Sequence, residues 1–163
     1  MQQVVISTDF GDMKLSFLPD KAPNHVANFL ELAGSGFYDG LSFHRIMDGF
    51  MIQGGCPIGN GTGNGPKNLD AEFSDTPHVL GTLSMARSAD PNSASCQFFI
   101  CLDEASFLDN QYTAFGQIAD DESLETLKKI GKVKVRKGGS GEASSPVEPV
   151  KINKMTVTEV SAP

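Results

Sequence analysis

Residues 43–55 read Phe43-His44-Arg45-Ile46-Met47-Asp48-Gly49-Phe50-Met51-Ile52-Gln53-Gly54-Gly55. The Asp48-Gly49 pair suits a tight turn, so residues 41–55 are expected to form two short strands around it. On the second strand Met51 and Gln53 share one face, because side chains alternate with a period of two. Toward the N-terminus, Val4 to Ser7 and Met13 to Phe17 flank Thr8-Asp9-Phe10-Gly11-Asp12. Met13, Leu15 and Phe17 alternate with Lys14 and Ser16, the period of a half-buried strand. These runs predict an opening β-hairpin.

A helix is expected between the two hairpins. Pro23 suits its first turn. Val26, Phe29, Leu30 and Ala33 recur at helical spacing and make one apolar stripe. Gly34 and Gly36 can end it. Toward the C-terminus, residues 59–68 must be loop, since four Gly and one Pro cannot hold a helix or strand interior. Val79 to Ala86, Gln97 to Leu102 and Tyr112 to Ile118 read as strands, with the polar loop Arg87 to Ser95 between the first two. Asp120, Asp121 and Glu122 open a second helix that ends near Lys128 and Lys129, both placements suiting the helix dipole. Glu125 and Lys129 are predicted to pair across one turn. Val133 and Val135 mark a strand with a basic outer face. Gly138 to Pro149 reads as a flexible loop, and Val150 to Val160 as a closing strand. A shift of apolar phase between Ile152 and Met155 predicts a bulge near Asn153-Lys154.

About eight short strands and two widely separated helices argue against a parallel α/β sheet. The expected fold is mainly β: an antiparallel barrel or sandwich with two helices. The chain has 163 residues with no internal repeat or long linker, so one domain over 1–163 is expected.

Lys plus Arg is 13 and Asp plus Glu is 20, a net charge of −7 with His neutral. That balance argues against non-specific nucleic-acid binding and against adhesion to anionic lipid. No apolar run is long enough to span a membrane. The three cysteines, Cys56, Cys96 and Cys101, are an odd number, which disfavours a disulfide framework. The start Met-Gln-Gln-Val-Val shows no signal peptide, so a reducing cytoplasmic setting is expected.

Several chemistries find no support. His25, His44 and His78 lie 19 and 34 apart, which fits no metal motif, and are read as structural or surface residues. No metal or cofactor is expected. No Gly-x-Ser-x-Gly elbow occurs. Cys101 lies in an apolar run and reads as a small core residue. The glycine loop lacks the Gly-Lys-Ser/Thr ending of a phosphate cradle. Lys128 to Lys137 holds six basic residues, read as a solvated face.

What remains is residues 43–55 together with Leu83-Ser84-Met85-Ala86-Arg87, Ser95-Cys96-Gln97-Phe98-Phe99-Ile100 and Phe107-Leu108-Asp109. Gln97 and Phe99 share a strand face, as do Met51 and Gln53. If these strands are neighbours, Met51, Phe99 and Leu108 floor an apolar pocket with Arg45, Gln53 and Gln97 at its rim. Periodicity alone supports equally a barrel exterior with incidental polar residues.

These segments resemble the cyclophilins, a family of peptidyl-prolyl cis-trans isomerases, in order and spacing along essentially the whole chain. The resemblance implies an eight-stranded antiparallel β-barrel closed by two α-helices, and isomerase activity on X–Pro bonds during protein folding. It implies that Arg45 is catalytic. Phe50, Met51, Phe99 and Leu108 would line the proline pocket. Gln53, Gln97 and the main chain of Ala86 and Arg87 would bind the substrate backbone, with the Gly59–Gly65 loop bordering the groove. Many members have Trp where this chain has Phe107 and His where it has Tyr112; the pattern here is similar to bacterial-type members. Phe107 has no indole N–H, so weaker cyclosporin affinity is expected. The implied partners are proline-containing peptides and unfolded chains, and a monomer is expected. A non-catalytic proline-peptide binding module and a folding chaperone are the rival readings.

Overall fold

A computed structural model describes residues 1–138 and 141–159 of the chain. The expected hairpin forms from β1 (Gln2–Thr8) and β2 (Gly11–Phe17), with Val4 opposite Leu15 and Ile6 opposite Met13. These four side chains are buried while their neighbours face outward, so a period-two pattern commits one face to the core. The second predicted pair forms as β3 (Arg45–Met47) and β4 (Met51–Gly54), and Gly49 between them takes a left-handed φ of 78° that a turn there requires. β5 (Thr82–Met85), β6 (Phe98–Cys101), β7 (Ala114–Ile118) and β10 (Lys154–Glu159) complete one antiparallel sheet in the order β10-β1-β2-β7-β5-β6-β4-β3.

The two edge strands do not pair, but the segments leading into them do. Phe43 N–H donates to the Val150 carbonyl at 2.8 Å, Gly40 N–H to Ile152 at 2.7 Å and Ile152 N–H to Leu41 at 2.7 Å. This seam draws the margins of the curled sheet together around Val4, Ile6, Leu15, Ile46, Ile52, Leu83, Phe98 and Ile100. The mainly β, eight-stranded antiparallel architecture with two helices is therefore as expected.

The helices lie at opposite ends of the strands. In α1 (Pro23–Gly34), Phe29 packs against Phe17 at the end of β2 and edge-on against Phe98 at the start of β6, at 5.7 and 5.3 Å between ring centroids. At the other end α2 (Asp121–Gly131) sets Ser123 Oγ to accept from Lys14 N–H at 2.7 Å, and packs Gly131 beside Leu102. Asp120 caps α2 by accepting from Ser123 N–H at 2.8 Å.

Some expectations need correction. The strand near Val133 is β8 (Val135–Lys137), and it stands outside the main sheet. Its partner is β9 (Ala143–Pro146), within the stretch read as a flexible loop. Gly, Ser and Pro hid this hairpin because local propensity is overridden by packing on β3. The phase shift at Asn153-Lys154 is a change of partner rather than a bulge: Lys151 bridges Ser42, whereas residues from Lys154 pair with β1. The strand expected at Val79 begins at Thr82, and Val79 and Leu80 are exposed. In α1 Leu32 is buried where Leu30 is only partly so. Glu125 pairs with Lys128, one residue nearer than Lys129. Gly139, Ser140 and Val160, included in the expected loop and strand, lie outside the described residues.

Helix α1 has no side-chain cap of its own at Ala22. Glu72, from the long loop before β5, supplies one from a distance. Its carboxylate accepts from the N–H groups of Asn24 (3.2 Å) and His25 (2.8 Å), and from His25 Nδ1 at 2.6 Å. A carboxylate at a helix N-terminus satisfies otherwise unpaired donors and complements the dipole. Burial holds the His25 imidazole below its ordinary 6.5, against the pull of Glu72, and the bonds to His25 and Asn24 hold the Glu72 carboxyl below its ordinary 4.5. Both shifts mean that the unfolded chain binds more protons, so stability falls as pH drops below about 6.5 and falls further below about 4.5. In urea unfolding, Glu72→Ala is expected to lose about 2 kcal/mol at pH 7, with a steeper fall in stability below about pH 6.5 than the parent, because His25 stays buried and loses the carboxylate that favours its charged form.

Candidate active site

Strand register builds the site on the outer face of the sheet. Arg45 lies opposite Gln53, Gln53 opposite Phe99, and Phe99 opposite Ser84. One row thus crosses β3, β4, β6 and β5. The next row holds Met47, Met51 and Cys101. Between them, Ile46, Ile52, Ile100 and Leu83 point the other way, into the core. The outer rows form a second apolar cluster: Met51, Phe99, Cys101, Ala105 and Leu108, with Met47, Phe50, Ala86 and Tyr112 packed against it. The pocket reading of the sequence is therefore the correct one of the two.

Above this floor is an open cleft of about 880 Å³. Arg45, Phe50, Met51, Gln53, Ala86, Arg87, Phe99, Leu108 and Tyr112 line it together. Gln97 lines an adjoining cleft that shares Gln53, Ala86 and Arg87 with the first. Phe107 lines neither; it is 69% exposed, with its ring 5.7 Å from Phe50. His44, Gly138, Glu142, Ser144 and Ser145 also line the main cleft, and the sequence reading missed them. The last four come from the β8–β9 hairpin, which sequence pattern did not reveal. The signal available was the run Gly138 to Ser145, too rich in Gly and Ser to look like a strand.

A polar rail borders the floor. Arg45 Nη1 donates to Gln53 Oε1 at 3.2 Å, and Gln53 Nε2 donates to Gln97 Oε1 at 3.1 Å. Gln97 Nε2 then donates to the carbonyls of Gly61 and Gly63 at 2.8 and 2.9 Å. Each amide is oriented by its neighbour, since only its NH2 group can donate. The glycine loop thus offers carbonyls to a glutamine, the wrong polarity for holding phosphate. At the far end, Glu142 Oε2 accepts from Arg45 Nε at 2.9 Å and Oε1 from Nη2 at 2.8 Å. These bonds raise the Arg45 pKa above its already high value, so the guanidinium stays charged.

Arg87 does not add a second cation to the floor. Its guanidinium donates twice to the Gln111 carbonyl, at 3.1 and 2.6 Å, and lies 4.6 Å above the Tyr112 ring. It braces Tyr112, which meets Phe99 edge-on at 5.8 Å.

His78 ties the floor from below. Its Nδ1 contacts Asp109 Oδ1 at 2.9 Å, Nε2 contacts Ser84 Oγ at 2.9 Å, and the ring stacks on Phe99 at 6.1 Å. The arrangement has the members of a hydrolase triad, but Ser84 is fully buried and no substrate can reach it. His78 and His25 are structural, as read. Burial pushes the Cys101 thiol up to about 12, so it is a core group rather than a nucleophile. Cys96 joins the inner cluster and Cys101 the outer, the opposite faces that their spacing predicts.

Residues 3–157 match the family described as cyclophilin type peptidyl-prolyl cis-trans isomerase/CLD. A peptidyl-prolyl cis-trans isomerase of Synechococcus elongatus is 48% identical over 130 residues, covering 80% of this chain and 89% of that one. A cyclophilin type peptidyl-prolyl cis-trans isomerase of Cryptosporidium parvum superposes with a TM-score of 0.88 at 30% identity, covering 98% of this chain and 99% of that one. A structure of the Cryptosporidium protein in the presence of the dipeptide Ala-Pro gives 0.84 at 30% identity, covering 97% and 99% of the two chains. The chain belongs to the cyclophilin-type peptidyl-prolyl cis-trans isomerases.

The rail makes Gln97 the link between the cleft and the glycine loop. Gln97→Ala is expected to speed hydrogen exchange at the Gly63 and Gly65 amides by about tenfold, the loss of roughly one net hydrogen bond, as read by NMR.

Proposed function

We propose that this chain accelerates cis-trans rotation about X–Pro bonds in protein chains, with Arg45 as the catalytic residue. One observation carries the reading: a permanently charged guanidinium stands at the edge of an apolar floor of Met51, Phe99 and Leu108, in one strand row with Phe99. Amide resonance sets a barrier of about 18–20 kcal/mol to rotation. When the bond twists, conjugation is lost and the proline nitrogen recovers a lone pair. Arg45 donates a hydrogen bond to that nitrogen only in the twisted state, so it favours the transition state over the ground state. No bond is made or broken, so the chemistry calls for no nucleophile.

The floor seats the proline ring, with Phe50 and Tyr112 as walls. Gln53 and the Ala86–Arg87 main chain hold the flanking backbone, so one side of the bond turns against a fixed other side. Gln97 contributes a remaining Oε1 lone pair and the placement of Gln53 and the glycine loop. The ligands are proline-containing peptides and unfolded chains, as the Ala-Pro work on the Cryptosporidium relative suggests by analogy. The protein acts as a single-domain monomer in the cytoplasm. Among the described residues no helix is long and apolar enough to cross a membrane.

Exchange of an Ala-Pro-Phe type peptide, followed by NMR, tests the catalytic claim. Arg45→Ala is expected to slow catalysed exchange about a hundredfold, on the order of 3 kcal/mol, with peptide affinity largely kept. Binding without accelerated exchange in the parent protein would instead identify a proline-recognition module. Cyclosporin is expected to bind more weakly than to members with Trp at this place, because Phe107 offers no N–H. Phe107→Trp is expected to tighten it about tenfold by titration, one hydrogen bond's net contribution.

A further inference from the structure

Glu142 is not needed to account for the apolar floor or for the donor beside it, yet it grips that donor directly. Its carboxylate spans the Nε–Nη2 edge of Arg45 in a two-point pairing, at 2.9 and 2.8 Å. Both partners are about one-third exposed, and a pair that open to water contributes little to folding stability. Its placement is nevertheless specified. The β8–β9 hairpin lies outside the main sheet, and β9 packs against β3, the strand that carries Arg45. Ser144 Oγ, on a buried β9 residue, donates to Glu142 Oε2 at 2.5 Å and fixes the carboxylate in turn.

The consequence is geometric. A guanidinium has five N–H donors in one plane. Glu142 engages the Nε–Nη2 edge, and Nη2 also reaches Met47 Sδ at 3.7 Å. Nη1 is left on the side of Gln53, which stands between Arg45 and Phe99 in the strand row. The edge presented to the floor is therefore set from behind by the hairpin. Long flexible side chains do not hold such an orientation unaided, and a displacement of 1 Å in a donor is costly to a reaction step.

We propose that Glu142 is a positioning residue for the isomerisation, holding the Arg45 guanidinium so that its Nη1 edge faces the bound proline. This rests on the reading of Arg45 given above. The bonds from Arg45 and Ser144 hold the Glu142 carboxyl down at about 2, so the grip persists across the working pH range. The opposite role, a carboxylate competing with substrate for Arg45, predicts a faster enzyme once Glu142 is removed.

The test is a double-mutant cycle on catalysed peptide exchange with Glu142→Ala, Glu142→Gln, Arg45→Ala and the Arg45→Ala/Glu142→Ala double variant. Glu142→Ala is expected to lower kcat about tenfold with KM changed less than twofold. Glu142→Gln, which keeps one acceptor, is expected to recover part of that loss. On the Arg45→Ala background, removing Glu142 is expected to change nothing further. The Arg45 Nε–H resonance is expected to exchange slowly with water in the parent and rapidly in Glu142→Ala, while urea midpoints stay together. Unchanged or faster catalysis in Glu142→Ala, with Arg45→Ala impaired, overturns the proposal and leaves the catalytic reading standing. An equal loss from Glu142→Ala on both backgrounds also overturns it. Full activity in Arg45→Ala overturns both readings.

Discussion

The two-residue period of β3, β4, β6 and β5, locked in register, is the constraint on which the rest depends. Ile46, Ile52, Ile100 and Leu83 must enter the core, and burying each contributes about 1.5–3 kcal/mol. Their neighbours Arg45, Gln53, Phe99 and Ser84 are thereby forced onto the opposite face in a single row. A slip of one residue would exchange the rows, placing a guanidinium in the core and isoleucines in the cleft. Core energetics thus place the row from Arg45 to Ser84 on the outer face. Gly54 belongs to the same constraint: a Cβ there would stand 2.9 Å from the Ser42 carbonyl, so the close approach of the chain beside β4 demands glycine.

The sheet carries two apolar clusters, one on each side, and they have different work. The inner cluster joins the strands to α1 through interlocking aromatic rings centred on Phe29, and to α2 through Leu127 and Ile130. The outer cluster is smaller and stays partly open, so it is a floor rather than a core. Its side chains are held in place from beneath by His78 and from the side by Tyr112. A recognition surface for an apolar ring needs this support, because loosely held side chains would spend binding energy on ordering themselves.

The first hairpin, both helices and the strands of the site were legible because their apolar residues recur at the period of the element. The floor was legible as well: Met51, Phe99 and Leu108 stand where alternation and family resemblance together put them. Harder to see were contacts made across long sequence separations. Glu72 caps α1 from 47 residues downstream of His25, and a reading of Pro23 and its neighbours shows no sign of it. The β8–β9 hairpin was missed for a related reason. Its strands are short, and Gly, Ser and Pro favour turns locally, so only packing on β3 makes it a structural element.

By itself, the sequence determined which face of the first hairpin and of the strands of the cleft is apolar, and roughly where the helices begin and end. These are local properties of period, capping and composition. Tertiary structure alone decided how the polar groups pair. It joined Arg45 to Glu142 across 97 residues, Gln53 to Gln97 across 44, and Gln97 to the glycine loop. Such pairings depend on hydrogen-bond distances of about 3 Å between atoms far apart in the chain, and no periodicity in a sequence encodes a distance of that kind.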